Sequence, residues 1–172
     1  MFAVAHRGFT LIELLVAMTI AFLLLMLALP QYTAWIADGA VRNGAESVAS
    51  GLRQTQLAAI SQNRDAIFTL GANGWTAEIV GPPLALVHTA SLSEGANYVT
   101  VAGVNAALAA ATTVSFNALG QVIPNAANLV QVDFSNPSTT KALRVLVGNG
   151  RTGVKLCDPS ISVVSHPRYC PP

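Results

Sequence analysis

Charge is scarce in this 172-residue chain: Asp, Glu, Lys and Arg together make up 10% of it, against roughly 25% in soluble domains. Part of the chain must therefore meet lipid or protein rather than water. Metal-binding side chains are also few. The two cysteines and three scattered histidines (His6, His88, His166) show no CxxC or HxxxH spacing, which argues against a zinc site. There is no GxSxG elbow, no GxxxxGK phosphate loop and no carboxylate cluster placed ahead of a histidine, so no catalytic residue, enzyme activity or cofactor is expected. Internal repeats and low-complexity linkers are missing too. The length suits one globular domain with an appendage.

The apolar residues are unevenly spread. Residues 9–29 read FTLIELLVAMTIAFLLLMLAL, with Glu13 as the only charge. About 20 apolar residues at 1.5 Å rise cross a bilayer core, so this stretch predicts a membrane-spanning helix. No A-x-A cleavage site directly follows Leu29, unlike a secretory signal, so the helix is expected to be kept. Arg7 precedes the run and the next basic residue is Arg42, which predicts a cytoplasmic N-terminus with the remainder of the chain outside. A carboxylate within a span costs about 2.5 kcal/mol or more. Glu13 therefore either needs a partner or stays wet at the headgroups, one turn into the helix.

The local pattern His6-Arg7-Gly8-Phe9-Thr10-Leu11-Ile12-Glu13-Leu14-Leu15-Val16 closely resembles the class III leader junction of type IV pilins and type II secretion pseudopilins. The resemblance implies a leader over residues 1–8, cut after Gly8 by a prepilin peptidase that methylates the new N-terminal residue, Phe9. It also implies an assembly role for Glu13, paired with the N-terminal ammonium of a neighbouring pilin, so that a charge costly in lipid favours bundling. Pro30 matches a family proline at the end of the apolar segment, residues 9–30. A proline there lacks an N–H and clashes with the preceding turn, which predicts a kink or local melting.

From residue 31 to about 63 the helical pattern becomes amphipathic, with Tyr32, Ile36, Ala40, Val48, Leu52, Ala59 and Ile60 on the apolar side. Gly39, Gly44 and Gly51 each weaken helicity by about 1 kcal/mol against alanine, so packing on a sheet must hold this half. The remainder, residues 64–172, turns to short β-rich runs at 65–70, 75–80, 98–102, 113–116, 121–123, 129–134 and 142–147. Turn-forming Gly-Ala-Asn-Gly, Gly-Pro-Pro, Ser-Asn-Pro and Gly-Asn-Gly separate them. The expected fold is α+β: a long N-terminal helix on a C-terminal antiparallel β-sheet domain, with 67–79 as a hairpin and 103–112 unassigned.

Cys157 and Cys170 lie close together in a turn-rich tail. They favour a disulfide in an oxidising compartment, with two reduced structural thiols as the alternative. A membrane span followed by a disulfide-closed domain points to the bacterial inner membrane and periplasm. The helix end and first hairpin (LRQTQLAAISQNRDAIFTLGANGWTAEI), VSFNALGQV and the tail GNGRTGVKLCDP resemble the GspH/FimT group of minor pilins and pseudopilins. Gln54-Thr55-Gln56 departs from the arginine-serine-glutamate run of many members. The resemblance implies a minor pilin, or else a type II secretion pseudopilin.

Charge divides along the chain. Residues 31–140 carry Arg42, Arg53 and Arg64 against Asp38, Glu46, Asp65, Glu78, Glu94 and Asp133, whereas the tail carries Lys141, Arg144, Arg151, Lys155 and Arg168 against Asp158. If these cations point outward, the tail is a basic surface able to neutralise phosphates. Some FimT-like pilins are DNA receptors that use a glycine-arginine element in this region, which Gly150-Arg151 matches in part. Arg144, Arg151, Lys155 and Arg168 are thus candidate DNA-binding residues. The competing reading puts Lys141, Arg144 and Lys155 on edge strands, where they discourage unwanted sheet pairing.

Overall fold

The structure, a computed structural model, describes residues 9–82, 85–92, 99–148 and 153–171. Its first element is α1, Leu11–Gln62. Thr10 starts it: the Thr10 hydroxyl accepts from the Glu13 amide at 3.3 Å and faces the Glu13 carboxylate at 3.5 Å. The threonine hydroxyl at the cap satisfies one of the otherwise unpaired amides of the first turn. At the other end Asn63 takes a left-handed conformation (φ 49°). There the Asn63 amide donates to Ile60 O and the Arg64 amide to Ala59 O, the two bonds that close a helix C-terminus when a residue tolerant of positive φ follows it.

The chain divides into two compact units, residues 1–36 and 37–172. In the first, the described side chains of α1 are almost all exposed, and Leu11, Leu25 and Leu29 show 60% or more of their surface. In the second, α1 buries one face at helical spacing: Ala37, Val41, Ala45, Val48, Leu52, Thr55 and Ala59. Ala40, Val48, Leu52 and Ala59 are buried as the apolar pattern predicted, but Tyr32, Ile36 and Ile60 are exposed. Ile60 follows Ala59 by one position, about 100° around the helix, and so turns out of the face.

The strands are β1 (Ala66–Gly71), β2 (Gly74–Ile79), β3 (Ala85–Ser91), β4 (Thr100–Val104), β5 (Thr113–Phe116), β6 (Gln131–Ser135), β7 (Leu143–Val147) and β8 (Val154–Cys157). They form two four-stranded antiparallel sheets, β3-β2-β1-β5 and β4-β6-β7-β8. The hairpin of β1 and β2 closes through Ala72-Asn73, with Gly71 opposite Gly74. Alternating burial along β1, β2, β6 and β7 sends Phe68, Trp75, Ile79, Val132, Phe134 and Val145 into one cluster with Val41, Val48 and Leu52 of the helix. An α+β fold with the helix on antiparallel sheet is therefore what the chain adopts.

One local expectation gives way, and two stretches left open by the sequence take definite form. The run at 121–123 is no strand: β5 continues into a turn in which the Asn117 carboxamide oxygen accepts from the Leu119 and Gln121 amides, leaving one bridge, Phe116 to Val122. Residues 103–112 split between the end of β4 and a turn held by Asn105, whose carboxamide accepts from the Ala107 and Ala109 amides. β3, unforeseen, lies on the outer edge of the first sheet with nearly every residue exposed. An edge strand without a buried face carries no alternation to reveal it.

Asp38 of α1 ties the helix to the approach to β7, accepting from the Thr139 hydroxyl and, at 3.4 Å, from Lys141. The Thr139 hydroxyl holds the Asp38 carboxyl below its usual value; burial opposes this and Lys141 adds to it. A depressed folded-state pKa contributes stability that is present above the ordinary carboxylate value of about 3.9 and lost as pH falls through it toward the lower folded value. Asp38→Asn is accordingly expected to lower stability at neutral pH and to narrow its deficit to the wild type as the medium is taken below pH 4. Denaturant unfolding at a series of pH values reads this directly.

Candidate functional site

Two regions bear on function, the start of α1 and the C-terminal tail. Gly8 lies outside the described residues, as do His6 and Arg7. Phe9 is the first described residue and is 71% exposed. Glu13 occupies the third position of the helix, exposed, with Thr10 as its neighbour. The cap was legible in principle, since Thr10-Leu11-Ile12-Glu13 has threonine-x-x-glutamate spacing just ahead of an apolar run. One carboxylate thus heads a helix whose next sixteen residues are uncharged, from Leu14 to Leu29. That helix is long and apolar enough to cross a membrane, and its apolar stretch is unshielded by the protein.

Pro30 lies inside α1, with helix on both sides of it. Of the kink or local melting expected there, melting does not occur, since the helix continues through the proline, which removes only one backbone bond. Its side chain lies outside those described.

In the tail, Cys157 and Cys170 are bonded, with their Cα atoms 5.1 Å apart. The bond clips residues 158–170 against the end of β8, where the Asp158 amide donates to Arg168 O at 2.8 Å and Asp158 bridges Tyr169 in parallel. The Asp158 carboxylate turns the chain by accepting from both the amide and the hydroxyl of Ser160. Closing a loop of this size stabilises by roughly 3 kcal/mol on the chain-entropy account. Cys157→Ser with Cys170→Ser is expected to cost up to about that much, with the loss visible in denaturant unfolding and early proteolytic nicking of 158–171.

The tail cations have different situations. Arg144, on the inner strand β7, holds Asp133 of β6 at 2.6 Å, and Lys141 holds Asp38. Lys155, on the edge strand β8, is exposed, and so is Arg168. Neither has a carboxylate partner among the described residues. Arg151 lies outside the described residues. Of the three cations expected on edge strands, only Lys155 is on one. A groove of about 770 Å³ runs beside Lys155 and Arg144, between Leu108, Gln131, Leu146 and Pro171. Among the described residues no three His, Cys, Asp or Glu side chains come together as a metal site would require.

Residues 5–29 match the family model described as the prokaryotic N-terminal methylation motif. The matched segment spans the junction at Gly8 and Phe9, Glu13 and the exposed apolar helix up to Leu29. It supports a type IV pilin-like chain, a kind of structural subunit that is membrane-anchored, processed by prepilin peptidase and assembled with other pilins. No curated protein and no solved structure matches the chain.

Proposed function

We propose that this chain is a minor pilin of a type IV pilus, contributing to assembly or initiation through its N-terminal helix. The observation that carries the reading is the methylation motif running into a long apolar helix whose described side chains are exposed. Prepilin peptidase cuts after Gly8 and methylates Phe9. The span first holds the chain in the inner membrane with residues beyond it in the periplasm, and later packs among the helices of other pilins. Glu13, costly in lipid by about 2.5 kcal/mol, is stabilised when it meets the ammonium of a neighbour's mature N-terminus. Pro30 is the assembly position at the far end of that span.

The test is the intact mass of the protein extracted from membranes of cells with active prepilin peptidase. A chain beginning at methylated Phe9 supports the reading; a chain retaining Met1 overturns it. The type II secretion alternative shares this processing, and the neighbouring genes separate the two.

DNA capture is a second reading, favoured by one observation: Lys155 and Arg168 are exposed without a carboxylate partner among the described residues. Such binding would be phosphate neutralisation, lost steeply with added salt. On this reading Lys155→Ala with Arg151→Ala weakens low-salt DNA binding by the soluble domain, measured by fluorescence anisotropy. Unchanged binding removes the reading. Arg144, already held by Asp133, is expected to contribute little.

A further inference from the structure

Beyond the apolar run, α1 carries two aromatic residues before burial begins. Tyr32 is 59% exposed and Trp35 is 72% exposed, whereas Ala37, two positions on, is 5% exposed. Their rings lie 6.4 Å apart, since positions three apart share a helix face. Trp35 differs sharply from the chain's other tryptophan, Trp75, which is 3% exposed and packed in the core. A large aromatic pair left in the open is either a contact surface or a liability.

From these positions we infer that Tyr32 and Trp35 form an anchor for the lipid headgroup region on the periplasmic side of the bilayer. The inference rests on the membrane-anchored reading above and adds where the bilayer ends on the chain. At 1.5 Å per residue, the helix from Leu11 to Leu29 rises about 27 Å, and with Phe9 and Thr10 ahead of it the apolar run reaches about the 30 Å of a hydrocarbon core. Tyr32 and Trp35 then fall roughly 4.5 and 9 Å beyond the core boundary, measured at their backbones. Helical side chains lean toward the N-terminus and cover the turn before their own Cα, so both rings reach back toward the lipid. That places them in the headgroup layer, about 5–7 Å deep on each side. An aromatic ring with a polar N–H or O–H suits this layer, which is why tryptophan and tyrosine collect there.

The exposed surface is continuous with the apolar helix and stops where burial starts. Ile36 is still 49% exposed, and the next residue is covered. Lipid is the occupant that fits a surface continuous with a membrane span. Arg42, the first cation after the span, is already held by Glu46 at 2.8 Å, so the anchor is aromatic rather than a contact of a free cation with phosphate.

The experiment uses the full chain reconstituted in phosphatidylcholine vesicles containing lipids brominated either near the carbonyl end of the acyl chains or near their methyl end. The emission of wild type minus that of Trp35→Phe isolates Trp35 from Trp75. The expected result is strong loss of Trp35 emission with the shallow bromines, weaker loss with the deep ones, and emission shifted to shorter wavelength than that of tryptophan in water. Carbonate extraction of the same vesicles reports whether the chain is embedded. An embedded chain whose Trp35 is unquenched, or is quenched most by deep bromines, overturns the anchor and leaves the membrane reading standing. A chain stripped from the vesicles by carbonate overturns both.

Discussion

Glu13→Gln is expected to enter the membrane as well as the wild type and to be nearly absent from filaments, with incorporation lower by roughly sixty-fold. The magnitude follows from the cost of about 2.5 kcal/mol for a carboxylate in a span, relieved on pairing, at about 1.4 kcal/mol per tenfold change. Glutamine is the informative replacement because it also serves in the capping arrangement with Thr10. The helix start observed between the Thr10 hydroxyl and the Glu13 amide therefore survives, and what is lost is the charge. Thr10→Ala is the complementary control: it removes the cap at about 1 kcal/mol while keeping the carboxylate, and should assemble. Immunoblots of membrane and sheared-filament fractions measure both variants. Glu13→Gln filaments at wild-type abundance would eliminate the ion-pair role.

The parts legible in sequence share a property: their signal is local and repeated. The apolar run, helical spacing through Val48, Leu52 and Ala59, and alternation in β1, β2, β6 and β7 each restate the same preference at many positions. β3 lacked that signal because an exposed edge strand has no buried side to alternate with. The turn at Asn117 escaped for a different reason. Its outcome depends on one side-chain oxygen collecting two amides, an arrangement that an apolar run such as Gln121-Val122-Ile123 conceals. Of the site, the junction and Glu13 were readable from residue order, while the commitment of Arg144 to Asp133 required the register of β6 against β7. Sequence lists charges; only pairing across strands says which of them are already neutralised.

Gly51 and Trp75 show how the second unit holds its helix, and Trp75→Ala is expected to cost about 3–5 kcal/mol in unfolding free energy. The indole stacks on Phe68 at 5.6 Å between ring centroids and donates its Nε1–H to the Ser47 hydroxyl of α1 at 3.1 Å. Removing it empties the space between helix and first sheet and takes away the indole hydrogen bond to Ser47. A loss of this size consumes a large share of the 5–15 kcal/mol that folded domains possess. The same site decides the sign of a substitution that helix propensity alone would favour. Alanine exceeds glycine in a helix by about 1 kcal/mol, yet a Cβ on Gly51 would lie 2.6–2.7 Å from three ring atoms of Trp75. The ring is buried between Phe68, at 5.6 Å, and His88, at 5.4 Å between ring centroids, and overpacking against such a ring costs typically 1–3 kcal/mol. Gly51→Ala is therefore expected to destabilise despite its propensity. Pairing it with Trp75→Phe, which narrows the obstructing ring, should recover part of the loss. Denaturant midpoints of the two single variants and the double variant measure that coupling, and strictly additive losses would show that the ring is not what the Cβ meets.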